Sequence, residues 1–213
     1  IPKSYKNLGV SNKDLESHIA YDLGASDLAS NLSESLNCSL IMANFSRLLI
    51  DPNRGIDDPT LIPKISEGKI IKGNLKISAS SKDIERNKRI NLFYLPYHEK
   101  INEFINDSIR RNRVPKIISI HSFTPVWKGK NRKIEVGILW DKDNRLSNIF
   151  LNSLNNVKIG NNLPYSGRLK NDTLYKHASS NGIPHVLIEI RQDLLIKNKD
   201  RLHWAQKIHN VLK

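Results

Sequence analysis

The sequence predicts an α/β protein, a layered fold on a mixed, mainly parallel sheet. Segments rich in β-branched residues alternate along the chain with helix-like segments. Two of the strand-like segments, Lys116–His121 and His185–Ile190, are rich in β-branched residues, and each carries a polar residue at or near its end, His121 and Glu189. The length of 213 residues is enough for one substantial core, so we expect a single domain over residues 1–213.

The first part of the chain gives helix, strand and loop signals in turn. A helix is predicted from Asn12, with Gly24 inside it and an apolar side formed by Leu15, Ile19, Leu23 and Leu28. The run Ser39–Ala43 predicts a short buried strand, with Cys38 beside it as a small buried hydrophobic residue. Residues 51–79 are rich in Pro, Gly, Asn and Asp, which predicts a long loop of the kind that is usually functional.

The remaining elements follow in an alternating order. A helical region is expected from Lys82 to Arg111, broken near Pro96, and a central strand should end at His121. The elements expected after it are a strand at Ile134–Trp140, a helix at Asn144–Leu154, a helix at Thr173–Ser180, a strand at His185–Ile190 and a terminal helix at Trp204–Leu212.

Composition limits the classes of function. The net charge of +13 suits nucleic acid, an anionic membrane surface or an anionic small molecule, but the basic residues form no long block, which does not favour nucleic acid. No apolar run approaches the roughly 20 residues of a membrane-spanning helix, so no membrane is expected as a partner. Cys38 is the single cysteine, which excludes an intramolecular disulfide and indicates a cytoplasmic setting.

Polar residues stand where strands are predicted to end, which is where ligands bind in open α/β sheets. His121 there could be a metal ligand or a general base, or simply a half-exposed histidine that closes a strand. Glu189 has apolar neighbours, and because an unpaired buried carboxylate is costly, it should have a cationic or metal-bound partner. Two roles for Glu189 are open: it could act as a general base, or it could form an ion pair with Arg191. Ser122 and Arg191, which accompany these two residues, are assigned to substrate binding.

Arginines add the chemistry of anion recognition. Arg54 could hold a carboxylate with two parallel hydrogen bonds and Asn53 could add a neutral donor, although Asp-Pro-Asn is also an ordinary turn sequence. Arg47 is a second guanidinium upstream, and Arg132 lies in a basic loop that could reach over a site. A strand-end histidine, a strand-borne glutamate and several arginines together indicate metal-assisted hydrolysis of an anionic substrate.

Six segments together resemble the N-formylglutamate amidohydrolase family, in the family's order and over nearly the whole chain. They are residues 18–25 (HIAYDLGA), 46–54 (SRLLIDPNR), 96–98 (PYH), 119–125 (SIHSFTP), 160–166 (GNNLPYS) and 188–194 (IEIRQDL). The resemblance implies a mixed sheet sandwiched by helices, as in zinc carboxypeptidases and acyl-glutamate deacylases, with one catalytic divalent metal, expected to be zinc. It also implies hydrolysis of the amide of an N-acyl acidic amino acid, an anionic small molecule.

The resemblance also implies roles for individual residues. His121 corresponds to a metal ligand and Glu189 to the general base. Asn53 and Arg54 correspond to the pair that binds the substrate carboxylate, and Arg47 is a candidate for polarising the scissile carbonyl.

One difference from the family concerns the start of the sequence. The family carries a histidine-containing metal-binding segment immediately before an Ile-Pro step, and this sequence begins with that step at Ile1-Pro2. We therefore expect the first strand and at least one metal ligand to lie before residue 1. The alternatives left open are a non-catalytic or truncated family member that binds an anionic small molecule, and a nucleic-acid-binding module.

Overall fold

The structure is a computed structural model that describes residues 1–168 and 170–213. The chain divides into two compact units. The loop unit comprises Ile1–Tyr21, Ile41–Asp107 and Asn171–Thr173, and the sheet unit comprises Asp22–Leu40, Ser108–Lys170 and Leu174–Lys213. The expectation of a single domain stays a prediction.

Helices and strands alternate along the described residues. The helices are α1 (Asn12–Leu15), α2 (Ala25–Leu36), α3 (Ile84–Arg89), α4 (Leu95–Arg110), α5 (Arg145–Ser153), α6 (Thr173–His177) and α7 (Asn198–Leu212). The strands are β1 (Ile65–Ser66), β2 (Lys69–Ile70), β3 (Ile117–Phe123), β4 (Val126–Trp127), β5 (Lys130–Asn131), β6 (Val136–Leu139), β7 (Ile159–Asn161) and β8 (His185–Arg191).

The sheet unit is built on a four-stranded sheet in the order β3-β8-β6-β7. The pairs β3–β8 and β6–β7 are parallel, whereas β6 and β8 are antiparallel. The sheet is therefore mixed and mainly parallel, with helices flanking it, and the predicted fold class is confirmed.

Alternate residues of β8 separate the two faces of this sheet. Val186, Ile188 and Ile190 are fully buried in a cluster with residues of α2, α5 and α7, among them Leu28, Phe150 and Ile208. On the other face, Leu187 packs with Leu139 and with Leu174 of α6. Glu189 belongs to this second face, which we call the site face.

Strand β3 differs from its prediction in position and length. Among the described residues it lies at the edge of the sheet, and it continues past His121 to Phe123. Its side chains up to His121 are only partly buried, which fits an edge strand of β-branched residues. The prediction of a central strand ending at His121 was wrong because a single run of residues does not show how many neighbours its strand has.

The helix predicted from Asn12 is interrupted. Helix α1 ends at Leu15, and α2 begins at Ala25 after Gly24, whose φ is +75°. A Cβ at Gly24 would lie 2.7 Å from the Cβ of Leu195, so both the backbone conformation and the close packing require glycine. The predicted helix is therefore two helices with a turn between them.

The buried strand predicted at Ser39–Ala43 is not formed. These residues are irregular, and Cys38 beside them is exposed. A strand requires a partner for its backbone hydrogen bonds, and among the described residues no strand pairs with this run. The helical region after Lys82 also differs, because α3 leads through a wide π turn at Ile90–Tyr94 directly into α4. Pro96 directly follows this wide turn, and the helix continues through the position where the sequence predicted a break.

The loop unit confirms the long loop over residues 51–79, which contains the hairpin of β1 and β2 and a single 3-10 turn at Lys72–Asn74. Two hydrophobic clusters hold it, one around Leu48, Leu49 and Ile71 and one around Ile50, Leu61 and Tyr94.

Among the described residues, no helix is both long and apolar enough to span a membrane.

Candidate active site

His121 and Glu189 lie side by side on the site face. They are register partners in the parallel β3–β8 pair, which places their Cα atoms roughly 4.8 Å apart. The partners of Glu189 on its two sides are thus His121 and, in β6, Gly137. The structure brings together the two sheet residues that the sequence singled out for chemistry.

The imidazole of His121 is held at both of its nitrogens. Its Nδ1 lies 2.6 Å from Asp22 Oδ2, and its Nε2 lies 3.1 Å from Ser119 Oγ. Because an ionised carboxylate only accepts hydrogen bonds, Nδ1 carries the proton and Nε2 presents its lone pair in the neutral ring. In this tautomer Nε2 accepts from the Ser119 hydroxyl, which a proton or a cation at Nε2 would have to displace.

Ser122 supports the turn that carries Asp22. Its hydroxyl donates to the backbone carbonyl of Leu23 at 2.8 Å, and the Gln192 side-chain amide donates to the Ser122 hydroxyl at 3.4 Å. Ser122 is buried, and its neighbours on both sides along β3 face the opposite side of the sheet. These contacts favour a structural role, and substrate binding by Ser122 stays a prediction.

Glycine opposite Glu189 lets a loop lie close to the sheet. A Cβ at Gly137 would be 2.5 Å from the carbonyl oxygen of Leu163 and 3.3 Å from both Pro164 Cδ and Glu189 Cβ. The same carbonyl oxygen would lie 2.5 Å from a Cβ at Gly160 on β7. The segment 162–166, which we call the site loop, therefore crosses the site face next to Glu189.

The guanidinium of Arg191 donates hydrogen bonds from all three of its nitrogens within the sheet unit. Its Nε and Nη2 donate to the two oxygens of Asp193, at 2.7 Å and 3.1 Å, and its Nη1 donates to the carbonyls of Arg132 and Ile134. These contacts do not involve Glu189, and an ion pair between Arg191 and Glu189 stays a prediction. Its contacts favour bracing the segment 132–134, and substrate binding by Arg191 stays a prediction.

Arg132 lies among aromatic rings at the end of the β4–β5 hairpin. Its guanidinium carbon is 5.3 Å from the ring centre of Phe123, 5.1 Å from that of Trp127 and 5.0 Å from that of Tyr165. Its Nη1 donates to the Tyr165 hydroxyl at 2.7 Å. Cation–π contacts on several sides fix the plane of this guanidinium.

In the loop unit, the other two predicted arginines, Arg47 and Arg54, both lie near the carboxylate of Asp51. Arg47 donates from Nε and Nη2 to Asp51 Oδ2, at 3.3 Å and 3.2 Å, and Arg54 Nε lies 3.9 Å from the same oxygen. Asp51 is buried, whereas each guanidinium is about one-third exposed. The Asp51–Arg54 segment forms a turn, as the Asp-Pro-Asn sequence predicted.

Asn53 and the backbone near Arg54 are fixed within the same unit. Asn53 Oδ1 accepts from the backbone N–H of Thr173 at 3.2 Å, which leaves the amide nitrogen of Asn53 as its donor. The Tyr94 hydroxyl donates to the carbonyl of Arg54 at 2.7 Å. Burial, with the charge of Asp51, raises the pKa of Tyr94 above its usual range, so this hydroxyl stays protonated.

The sequence predicted a metal site at His121, which requires several ligands around one ion. The described residues contain no group of three or more His, Cys, Asp or Glu side chains that could hold a metal ion. His121 with its Asp22 partner matches the pairing seen for metal-ligating histidines, but one imidazole is not a coordination sphere. The described residues therefore do not make up a metal site by themselves, and zinc stays a prediction.

The segments around these residues match a known family. Residues 1–196 match the family model described as N-formylglutamate amidohydrolase. The chain belongs to the N-formylglutamate amidohydrolase family. As a member, it is a hydrolase that acts on an amide, as the resemblance implied.

Two solved structures are similar to this amidohydrolase. The gene product Atu2144 from Agrobacterium tumefaciens superposes with a TM-score of 0.94 and 35% identity, over 100% of this chain and 84% of that chain. The N-formylglutamate amidohydrolase from Ralstonia eutropha JMP134 superposes with a TM-score of 0.64 and 18% identity, over 95% of this chain and 83% of that chain. At that identity the second likeness shows the fold alone. The comparison with curated proteins gave no match.

Sequence reasoning missed three residues of this arrangement. Asp22 and Ser119, which hold His121, and Tyr165, which holds Arg132, were not assigned a role. All three lie inside segments that carried the family resemblance, residues 18–25, 119–125 and 160–166. The signal was therefore present as a motif, but the contacts that give it meaning join residues far apart in the chain.

Proposed function

We propose that this amidohydrolase cleaves the amide of an N-acyl acidic amino acid of the N-formylglutamate type, giving a carboxylic acid and the free amino acid. The observation that carries the proposal is the register pair of Glu189 and His121, with Asp22 orienting the imidazole. The family match supports the reaction class, and a net charge of +13 favours anionic substrates.

Glu189 is the proposed general base. Its carboxylate removes a proton from the attacking water, whose oxygen bonds to the acyl carbon, and then delivers that proton to the amine nitrogen as the carbon–nitrogen bond breaks. His121 is the proposed second group beside it, with Nδ1 held by Asp22 and Nε2 beside the Ser119 hydroxyl.

Residues of the loop unit have proposed roles in recognition. We assign Asn53 and Arg54 to the carboxylate next to the scissile amide and Arg47 to the acyl oxygen. The support within the loop unit is the partly exposed guanidinium of Arg54 and the fixed orientation of the Asn53 amide. Zinc, which the resemblance implies, remains a prediction that elemental analysis of the purified chain tests.

The proposal is tested by assaying the chain with N-formyl-L-glutamate and measuring both formate and free glutamate. The substitution Glu189→Gln keeps the shape of the side chain but removes the base, and we expect a loss of kcat of at least roughly 100-fold. Glu103→Gln on α4 is the matched control, because Glu103 is exposed and its ion pair is with Lys100 on the same helix. Equal activity of Glu189→Gln and the wild type would contradict the role of Glu189.

A further inference from the structure

We infer that Arg132 determines the preference for an acidic substrate side chain by binding the side-chain carboxylate. The inference rests on the proposed function and deepens it. It starts from the setting of this guanidinium among Phe123, Trp127 and Tyr165, with one hydrogen bond to the Tyr165 hydroxyl.

Arg132 lies at the same end of the sheet as the proposed base. Phe123, over which it sits, is two residues beyond His121 and therefore on the same face of β3. Tyr165 follows Pro164 in the site loop, which crosses the site face beside Glu189. The three aromatic rings around Arg132 and the His121–Glu189 pair thus lie at the same end of the sheet.

The donors of Arg132 are available, in contrast to those of Arg191. Arg191 uses its guanidinium for Asp193 and for backbone carbonyls. The guanidinium of Arg132 makes a single side-chain hydrogen bond within the part of the chain that the structure describes, and the residue is only partly buried. The remaining N–H groups form a planar fork, which matches the geometry of a carboxylate.

The spacing along the strand favours one of the two carboxylates of the substrate. Phe123 lies two residues past His121, a displacement of roughly 6–7 Å. In an N-acylglutamate the side-chain carboxylate is five bonds from the acyl carbon, or roughly 6 Å when extended, whereas the α-carboxylate is three bonds away, at most roughly 4 Å. The offset of the two strand positions is closer to the longer of these lengths, which favours the side-chain carboxylate.

Rigid placement makes this guanidinium selective. Three rings hold its plane and Tyr165 fixes its rotation, so little side-chain entropy is lost when a carboxylate binds. A neutral side chain of the same shape would leave the charge of Arg132 without a matching anion. The alternative is that Arg132 only ties the β4–β5 hairpin to the site loop, in which case it would not distinguish between substrates.

The test compares N-formyl-L-glutamate with N-formyl-L-glutamine, which have the same shape and differ in the charge of the side chain. We expect the wild type to prefer the glutamate compound in kcat/KM by roughly 10- to 100-fold, as charge-assisted hydrogen bonds predict. Arg132→Met should remove this preference by lowering kcat/KM for the glutamate compound alone. Arg113→Met, at an exposed position of the same unit, is the matched control.

Tyr165→Phe gives a second variant if Arg132→Met does not fold. It keeps the ring and removes the hydrogen bond to Arg132, and we expect a smaller loss that is again confined to the glutamate compound. A wild type that hydrolyses both compounds equally would overturn the inference and leave the proposed function intact, as would an equal loss on both compounds in the variants. Hydrolysis of neither compound would contradict the proposed function itself.

Discussion

At the scale of single residues, the candidate site depends on hydrogen bonds that orient the reactive side chains, such as those of Asp22 and Ser119 to His121. Glu189 and His121 stand out in the sequence because polar groups among apolar strand residues need partners. Asp22 does not stand out, although it lies 2.6 Å from His121, because 99 positions separate the two along the chain. Sequence patterns showed which residues could react, and only the fold shows which residues orient them.

Removing the charge of Asp22 tests its orienting role. Asp22→Asn keeps the shape but can donate to Nδ1 of His121, which favours the wrong tautomer, and we expect kcat/KM for N-formyl-L-glutamate to fall at least about tenfold. Asp27→Asn on α2 is the control, since Asp27 is exposed and pairs with Arg201. Thermal unfolding should show both variants folded. Full activity of Asp22→Asn would contradict the role.

At the scale of elements, the site face depends on how the site loop lies on the sheet. Gly137 and Gly160 are register partners on β6 and β7, and both face the carbonyl of Leu163. Asn162 fixes the loop further, because its side-chain oxygen accepts from the backbone N–H groups of Trp140 and Gly167. Glycines in strands indicate close approach of another backbone, but the sequence does not show which backbone approaches.

A methyl group at Gly137 tests this arrangement. Gly137→Ala would place a Cβ 2.5 Å from a backbone oxygen, so the site loop must shift, and we expect a loss of about 1–3 kcal/mol in the free energy of unfolding together with lower kcat. Gly68→Asn is the control, because nothing lies within 4 Å of a Cβ there and asparagine tolerates its positive φ. Chemical denaturation measures both, and a fully stable, fully active Gly137→Ala would refute the packing argument.

The errors of element prediction have one physical origin. Periodicity identified β3, β6, β8 and α5 to within a few residues, since their apolar faces are long and regular. It gave no signal for the short strand β7, and it joined α1 to α2 across Gly24. In these places the outcome depends on packing against residues distant in the chain, such as Leu195 against Gly24.

At the scale of the whole molecule, the fold class follows from the alternation of strands and helices. The clustering of His121 with Glu189 was also predictable, because carboxyl ends of parallel strands meet at one edge. The placement of Arg191 was not, since its charge and position suited either a substrate or the Asp193 that it binds. Net charge indicates an anionic partner for the molecule but not the residue that binds it.

Stability of the whole chain should depend on pH through His177. Burial, with the charge of Lys176, lowers the pKa of His177 to about 4, from 6.5. The unfolded chain therefore binds a proton that the folded chain does not, so stability is complete above pH 6.5 and falls as the pH drops towards 4. Within this window the loss approaches about 1.4 kcal/mol per pH unit.

Denaturation of the wild type and His177→Gln at several pH values measures this contribution. The variant should show a flatter decline between pH 6.5 and 4, whereas His203→Gln, at an exposed position on α7, should retain the wild-type slope. Identical slopes for His177→Gln and the wild type would contradict the assignment of the effect to His177.

The most direct test of the central claim is release of free glutamate from N-formyl-L-glutamate by the wild type and by Glu189→Gln. We expect glutamate and formate in equal amounts from the wild type and a loss of at least roughly 100-fold in Glu189→Gln, with Glu103→Gln unchanged. A wild type that releases neither product, or a Glu189→Gln variant as active as the wild type, would contradict it.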